Sequence, residues 1–163
     1  MKTLYLMVGP PGSGKSTWVK EYADGWEALG HTVHIVSRDA IRFAMLKECE
    51  GYFDKENEVF ARFVKEIADS LRRNEITFAD ATHLTEKARN KVLDKLELQG
   101  VDIIPVFVCP SLHTCLSQNS NRTDRAYVPE SAVARMYAQC VAPTFKEKYK
   151  YTDILKVRFD TDG

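Results

Sequence analysis

The stretch Gly9-Pro10-Pro11-Gly12-Ser13-Gly14-Lys15-Ser16 fits the spacing G-x-x-x-x-G-K-[ST]. Glycines at this spacing let successive backbone N–H groups turn toward a single anion. A helix beginning at the lysine adds its positive end, and the lysine itself reaches the β and γ phosphates. The chemistry implied is the gripping of a nucleoside triphosphate with Mg²⁺. Gly9, Pro11, Gly12, Ser13, Gly14, Lys15, Ser16 and Thr17 are the expected contacts to ATP, and the Ser16 hydroxyl is the expected metal ligand. The plainer alternative is a glycine-rich turn that only caps a helix. The apolar run before it and the amphipathic stretch after it argue for the phosphate loop.

Moving a phosphoryl group to an alcohol also needs a carboxylate to orient the hydroxyl and take its proton, and cations to hold the migrating charge. In open parallel sheets such groups gather beyond the carboxyl ends of the strands. That rule selects Ser37, Arg38 and Asp39 after one expected strand and Asp80, Ala81 and Thr82 after another. Asp39 is the expected catalytic base. Arg42, three residues on, shares its face if a helix starts there and would clamp a phosphate or carboxylate on the acceptor. The competing reading makes Asp39 a helix cap with a surface pair to Arg42. Asp80 fits a role on Mg²⁺ through water, or a cap of the next turn, and Thr82 a hydroxyl contact to substrate. Arg122 and Arg125 fall in a polar loop at 119–127 that can close over the triphosphate and bring Arg122 to the transferring group, or stay solvated.

The elements that must position these residues follow from the hydrophobic pattern. Residues 4–8 form a continuous apolar run, the signature of a strand buried on both faces. Val19, Tyr22, Ala23, Trp26 and Leu29 then recur at helical spacing up to Gly30. Further strands are expected at 32–36, 76–79, 101–108 and 154–157. Helices are expected at 41–47, along the face Phe60, Phe63, Val64, Ile67 and Leu71, from a Thr85 cap through Leu96 to a stop at Gly100, at 112–119, and from Pro129 to about 141. Pro105 cannot donate to a ladder, so its strand must lie at an edge, pair incompletely on one side, or bulge.

Strands alternating with helices imply an α/β fold: a P-loop kinase-like three-layer sandwich with a parallel sheet of about five strands and a helical lid. A length of 163 residues implies one domain over 1–163, with the lid at about 111–142. With 44% apolar residues the chain can build a core without metal or disulfides. Its 23 Lys plus Arg balance 23 Asp plus Glu, so any polyanion site is a local patch. Cys49, Cys109, Cys115 and Cys140 lack C-x-x-C spacing and read as reduced core thiols. His31, His34, His83 and His113 lack ligand spacing, so no structural metal is expected. The short apolar run at the start fits neither a signal peptide nor a membrane span, and the expectation is a cytoplasmic protein.

Taken together, these residues resemble the kinase domain of phage-type polynucleotide 5′-hydroxyl kinases and, more broadly, the small ATP-binding kinases. The resemblance spans nearly the whole chain. It rests on the run from Gly9 to Trp18, on Arg38-Asp39 with Arg42, and on Asn119-Ser120-Asn121-Arg122 followed by Val128-Pro129 and Met136-Tyr137. It implies that Asp39 is the general base, that Arg42 contacts the phosphate of the acceptor end, and that Arg122 is the lid arginine on the donor. Asp80 and Thr82 take the places of a second acid and a substrate hydroxyl contact, the latter after a one-residue slip. Gln118 departs from the pattern, which has another arginine there. The end of the chain, Asp160-Thr161-Asp162-Gly163, echoes the start of the phosphatase domain to which that family fuses its kinase, either by chance or as the cut end of a longer chain.

The expected reaction is transfer of the γ-phosphoryl group of ATP, with Mg²⁺, to the 5′-hydroxyl of a DNA or RNA end. Two alternatives stay open: a kinase of the same fold acting on a small-molecule alcohol such as a nucleoside, sugar acid or antibiotic, and an ATP-binding switch protein with slow hydrolysis.

Overall fold

The computed structural model describes residues 1–122 and 127–157. Five strands, β1 (Lys2–Val8), β2 (Val33–Ser37), β3 (Ile76–Asp80), β4 (Val101–Val108) and β5 (Leu155–Val157), form one parallel sheet in the order β2-β3-β1-β4-β5. Six helices connect and flank them: α1 (Lys15–Ala28), α2 (Arg38–Met45), α3 (Glu56–Arg73), α4 (Glu86–Leu93), α5 (Leu112–Ser120) and α6 (Glu130–Gln139).

Side chains on successive strand residues point to opposite faces, and β1 shows what that does here. Leu4 and Leu6 enter one core with Val59, Phe63, Ile67 and Leu71 of α3 and Val92 and Leu93 of α4. Tyr5 and Met7 enter the other with Val19 and Ala23 of α1 and Phe78 of β3. Apolar residues on both faces of a central strand therefore produce the three-layer sandwich expected from the sequence. A smaller third cluster, Cys115, Val128, Ala132 and Val133, joins α5 to α6 and forms the base of the lid.

Register places the strand ends level. Val8 pairs with Phe107 and Ser37 with Asp80, so the loops after β1, β2 and β3 open on one edge. Pro105 lies in an interior strand but is tolerated for the physical reason anticipated. β5 pairs only from Val106 to Val108, so the residue lacking an N–H sits beside an unpaired stretch.

Three helix boundaries differ from expectation. α2 starts at Arg38, three residues early, because the Ser37 hydroxyl accepts from the Ala40 N–H at 3.1 Å and so caps the helix. α4 ends at Leu93 rather than running toward Gly100, and its last turn tightens through Lys95 N–H to Val92 and Leu96 N–H to Leu93. Pro129 serves as the N-cap of α6 rather than its first residue. The cysteines are free, but only Cys115 is fully buried. Cys109 and Cys140 are half-buried and Cys49 is exposed, which corrects the expectation of four core thiols. Among the described residues no helix is long and apolar enough to cross a membrane, and no group of three His, Cys, Asp or Glu side chains could hold a metal ion.

A buried ion pair ties the last third of the chain to α4. Arg89, with no exposed surface, donates from Nε to Glu147 Oε1 at 3.0 Å and from NH2 to Oε2 at 2.7 Å. Its NH1 donates to the carbonyls of His83 and Val141. Two parallel bonds from a planar fork fix direction as well as distance, so the return path to β5 is held against the sheet.

Candidate active site

The edge at the strand carboxyl ends opens into a cleft of about 370 Å³. It is lined by the loop from Pro11 to Thr17, by Ser37, Arg38, Asp39 and Arg42, by Asp80, Ala81 and Thr82, and by Gln118, Arg122, Val128 and Met136 of the lid. Residues far apart in sequence thus meet where the sheet topology requires.

The phosphate loop is shaped by close packing as much as by flexibility. Gly12 has φ +78°, and a β-carbon there would lie 2.3 Å from the Cys115 carbonyl oxygen of α5. A β-carbon on Gly9 would lie 2.2 Å from the Val108 carbonyl oxygen of β4. Gly9, expected to touch the nucleotide, does not line the cleft. It lets the loop pass tight over β4, and its N–H donates to the Thr82 carbonyl at 2.9 Å. No side chain caps α1, which starts from Gly14, leaving the first N–H groups of the helix for an anion.

Lys15 is 9% exposed and donates to the Pro10 carbonyl at 2.8 Å and the Ser13 hydroxyl at 3.3 Å. Burial pushes its pKa below the usual lysine value, while the nearby carboxylates of Asp80 and Asp39 oppose that shift. Ser16 donates to Asp80 Oδ2 at 2.8 Å. Burial raises the Asp80 pKa, against the pull of Lys15 and the Ser16 bond. A hydroxyl and a carboxylate held together at the triphosphate end of the cleft are the hard oxygen donors that Mg²⁺ selects, and the pair fits that ion.

The facing wall is more elaborate than its sequence suggested. Asp39 sits in the first turn of α2, and its cap position belongs to Ser37, so the capping alternative does not describe it. Its Oδ1 accepts from Tyr52 Oη at 2.6 Å and from Arg42 NH1. The Arg42 side chain is 5% exposed. It pairs with Glu56 Oε1 through Nε at 2.8 Å and NH2 at 2.7 Å, donates from NH1 to the Tyr52 hydroxyl at 2.8 Å, and lies 4.1 Å over the Tyr52 ring. Arg38 NH2 donates to Glu56 Oε2 at 3.1 Å. Two arginines and two carboxylates therefore balance locally.

Tyr52, Phe53 and Glu56 line this wall but were not singled out in the sequence. A Gly51-Tyr52-Phe53 aromatic pair in a segment between helices is the one local signal they offered. Glu56 reads as an ordinary acidic first-turn residue of α3.

Asn119, wholly buried, holds the lid loop at its base. Its Nδ2 donates to the Val128 carbonyl at 2.6 Å and its Oδ1 accepts from the Val128 N–H at 3.1 Å. Arg122 follows it into the cleft. Arg125 and the tail with Asp160, Asp162 and Gly163 lie outside the described residues. Trp18 faces the α1 side of the sheet and stacks on Tyr22 at 3.9 Å, away from the cleft lining. Behind the site His83, with φ 42° and little exposed surface, donates from Nδ1 to the Met7 carbonyl at 2.7 Å. Burial takes its pKa down to about 3, so it packs as a neutral ring.

Comparison with known proteins gives a consistent frame. Residues 4–143 match the family described as AAA domain. No curated protein matches the chain. Among solved structures, a chain of the Pnkp1/Rnl/Hen1 RNA repair complex is 19% identical with a TM-score of 0.68, and the match covers 85% of this chain and 43% of that one. Kti12 of Chaetomium thermophilum, solved with ADP-AlF3, is 14% identical with a TM-score of 0.72, covering 98% and 90%. A gluconokinase of Sinorhizobium meliloti 1021 is 17% identical with a TM-score of 0.58, covering 95% and 81%. These likenesses show the α/β P-loop fold, in proteins whose names point to different substrates.

Proposed function

This chain belongs to the AAA domain family, and on that premise we propose that it is an ATP- and Mg²⁺-dependent phosphotransferase acting on an alcohol, the 5′-hydroxyl of a DNA or RNA end. The observation that carries the reading is the placement of the Asp39 carboxylate in the same cleft as Lys15 and the Ser16–Asp80 pair. A switch protein that only hydrolyses ATP needs no carboxylate on the wall opposite its phosphate loop.

In this reading the loop amides, Lys15 and Arg122 hold the triphosphate and stabilise charge on the transferring group. Ser16, and Asp80 through water, hold Mg²⁺, which when bound offsets charge on the β and γ phosphates. Asp39 orients the acceptor hydroxyl and accepts its proton as the new O–P bond forms and ADP departs. Arg42 and Thr82 contact the acceptor, and Arg125 is assigned with Arg122 to ATP binding. The domain spans 1–163 with its lid at about 111–142, and a cytoplasmic location suits ATP as donor.

One observation favours a second reading, a small-molecule kinase. Arg42 is already paired with Glu56 and Asp39, which reduces what it can offer to an acceptor phosphate. Labelled ATP incubated with 5′-hydroxyl oligonucleotides and with a panel of small alcohols separates the two, since label confined to a small molecule rejects the polynucleotide acceptor. Asp39→Asn should lower kcat by about 100-fold or more while leaving ATP affinity unchanged. Full turnover in that variant would remove the base assignment.

A further inference from the structure

We infer that Tyr52 is a positioning residue for the catalytic carboxylate, acting through its hydroxyl on Asp39. The inference rests on the reading of Asp39 as the base and adds a residue to that same site.

The geometry of the acceptor wall carries it. The Tyr52 hydroxyl donates to Asp39 Oδ1 at 2.6 Å, a short O–H···O⁻ bond of the charge-assisted kind. Among the described residues both bonds to the Asp39 carboxylate fall on Oδ1, from Tyr52 and from Arg42. That leaves Oδ2 for an incoming hydroxyl. A carboxylate on a solvent-facing first turn rotates about its Cβ–Cγ bond unless hydrogen bonds hold it, and a bond from another segment fixes it relative to the rest of the cleft. Arg42 comes from the same helix three residues on, whereas Tyr52 belongs to the segment between α2 and α3 and supplies that bond.

Tyr52 is itself held on three sides. Its ring lies 4.1 Å under the Arg42 guanidinium, meets Phe53 edge-on with centroids 4.6 Å apart, and packs against the Cys115–Val133 cluster at the base of the lid. Burial, and then the adjacent Asp39 charge, raise its pKa above the ordinary tyrosine value, so the phenol keeps its proton and remains a donor. The residue therefore joins the base on one wall to the cluster between α5 and α6.

Tyr52→Phe deletes the hydroxyl and keeps the ring contacts, so fold and role can be separated. With whichever acceptor of the panel takes label, kcat for Tyr52→Phe should fall about 10- to 100-fold, with KM for ATP unchanged and at most a small drop in melting temperature. Assays run well below both melting points keep a modest stability loss from mimicking the effect. The hydroxyl bonds both Asp39 and Arg42 NH1; when its effect on turnover runs through Asp39, the double variant Asp39→Asn/Tyr52→Phe is no slower than Asp39→Asn alone. Wild-type kcat in Tyr52→Phe, or a full further loss in the double variant, would overturn the inference while leaving Asp39 as the base. Turnover retained by Asp39→Asn would instead remove the underlying reading, as would label reaching no acceptor at all.

Discussion

The wall that carries Lys15 comes from one unbroken run of chain, Pro11 to Thr17, braced by Asp80. The wall that carries Asp39 is assembled from α2, the segment holding Tyr52 and Phe53, and the start of α3. The first wall is stiff because its backbone has nowhere else to go: β-carbons at Gly9 and Gly12 would run into neighbouring carbonyls. The second is stiff because charged and aromatic side chains satisfy one another, with Arg42 at the centre touching Asp39, Tyr52 and Glu56. The difference teaches that a wall suited to a phosphate group can be made from main chain, whereas the facing wall is held by side chains drawn from several segments.

That contrast can be broken or sharpened by experiment. Lys15→Ala should cost the most, on the order of 1000-fold in turnover with ATP affinity lost as well; a variant that still binds ATP tightly in calorimetry would show that the main chain alone holds the donor. Glu147→Gln touches neither wall and should lower stability by about 3 kcal/mol by leaving Arg89 buried without its anion, read as a drop in melting temperature. Burial alone would raise the Glu147 pKa, but Arg89 and Tyr151 overcome it and hold the value below the ordinary 4.5. A depressed folded pKa means stability that is present above pH about 4.5 and lost as pH falls through the folded value. The Gln variant should lack that acid-side slope, and equal slopes in both proteins would discard this account of the clamp.

Gly12→Ala should destabilise by about 2 kcal/mol and weaken ATP binding, because the added methyl meets the Cys115 carbonyl at positive φ. Unchanged melting and affinity would show that the donor wall is not sterically fixed. Glu56→Gln should have the smallest effect, about tenfold in kcat at unchanged ATP affinity, through a loosened Arg42. If ATP affinity fell instead, the two walls would not be separable.

Much of the sheet could be read from the chain because β1 is apolar at every position from Leu4, and a strand buried on both faces leaves few alternatives. The consequence of Pro105 was also readable, since a missing N–H is a local property. Helix ends were less so. α2 begins at Arg38 because of a single hydroxyl on Ser37, and α4 stops at Leu93 although apolar spacing continues to Leu96. In the cleft, the positions of Asp39, Arg42, Asp80 and Thr82 followed from the rule that loops at strand ends converge. The partners of Arg42 did not, because Glu56 lies fourteen residues away across a helix–helix junction and no periodicity links the two.

By itself the order of residues determined the phosphate loop, the strand on either side of which the helices had to pack, and the carboxylate that would face the loop, because each depends on short-range spacing or on hydrophobic alternation. Only the tertiary structure decided that Gly9 packs tightly against the Val108 carbonyl, that Arg42 is paired with Glu56, and that Tyr52 reaches Asp39. Those outcomes depend on which surfaces of separate elements come within a few ångströms of one another, a property of the assembled core and of no single segment.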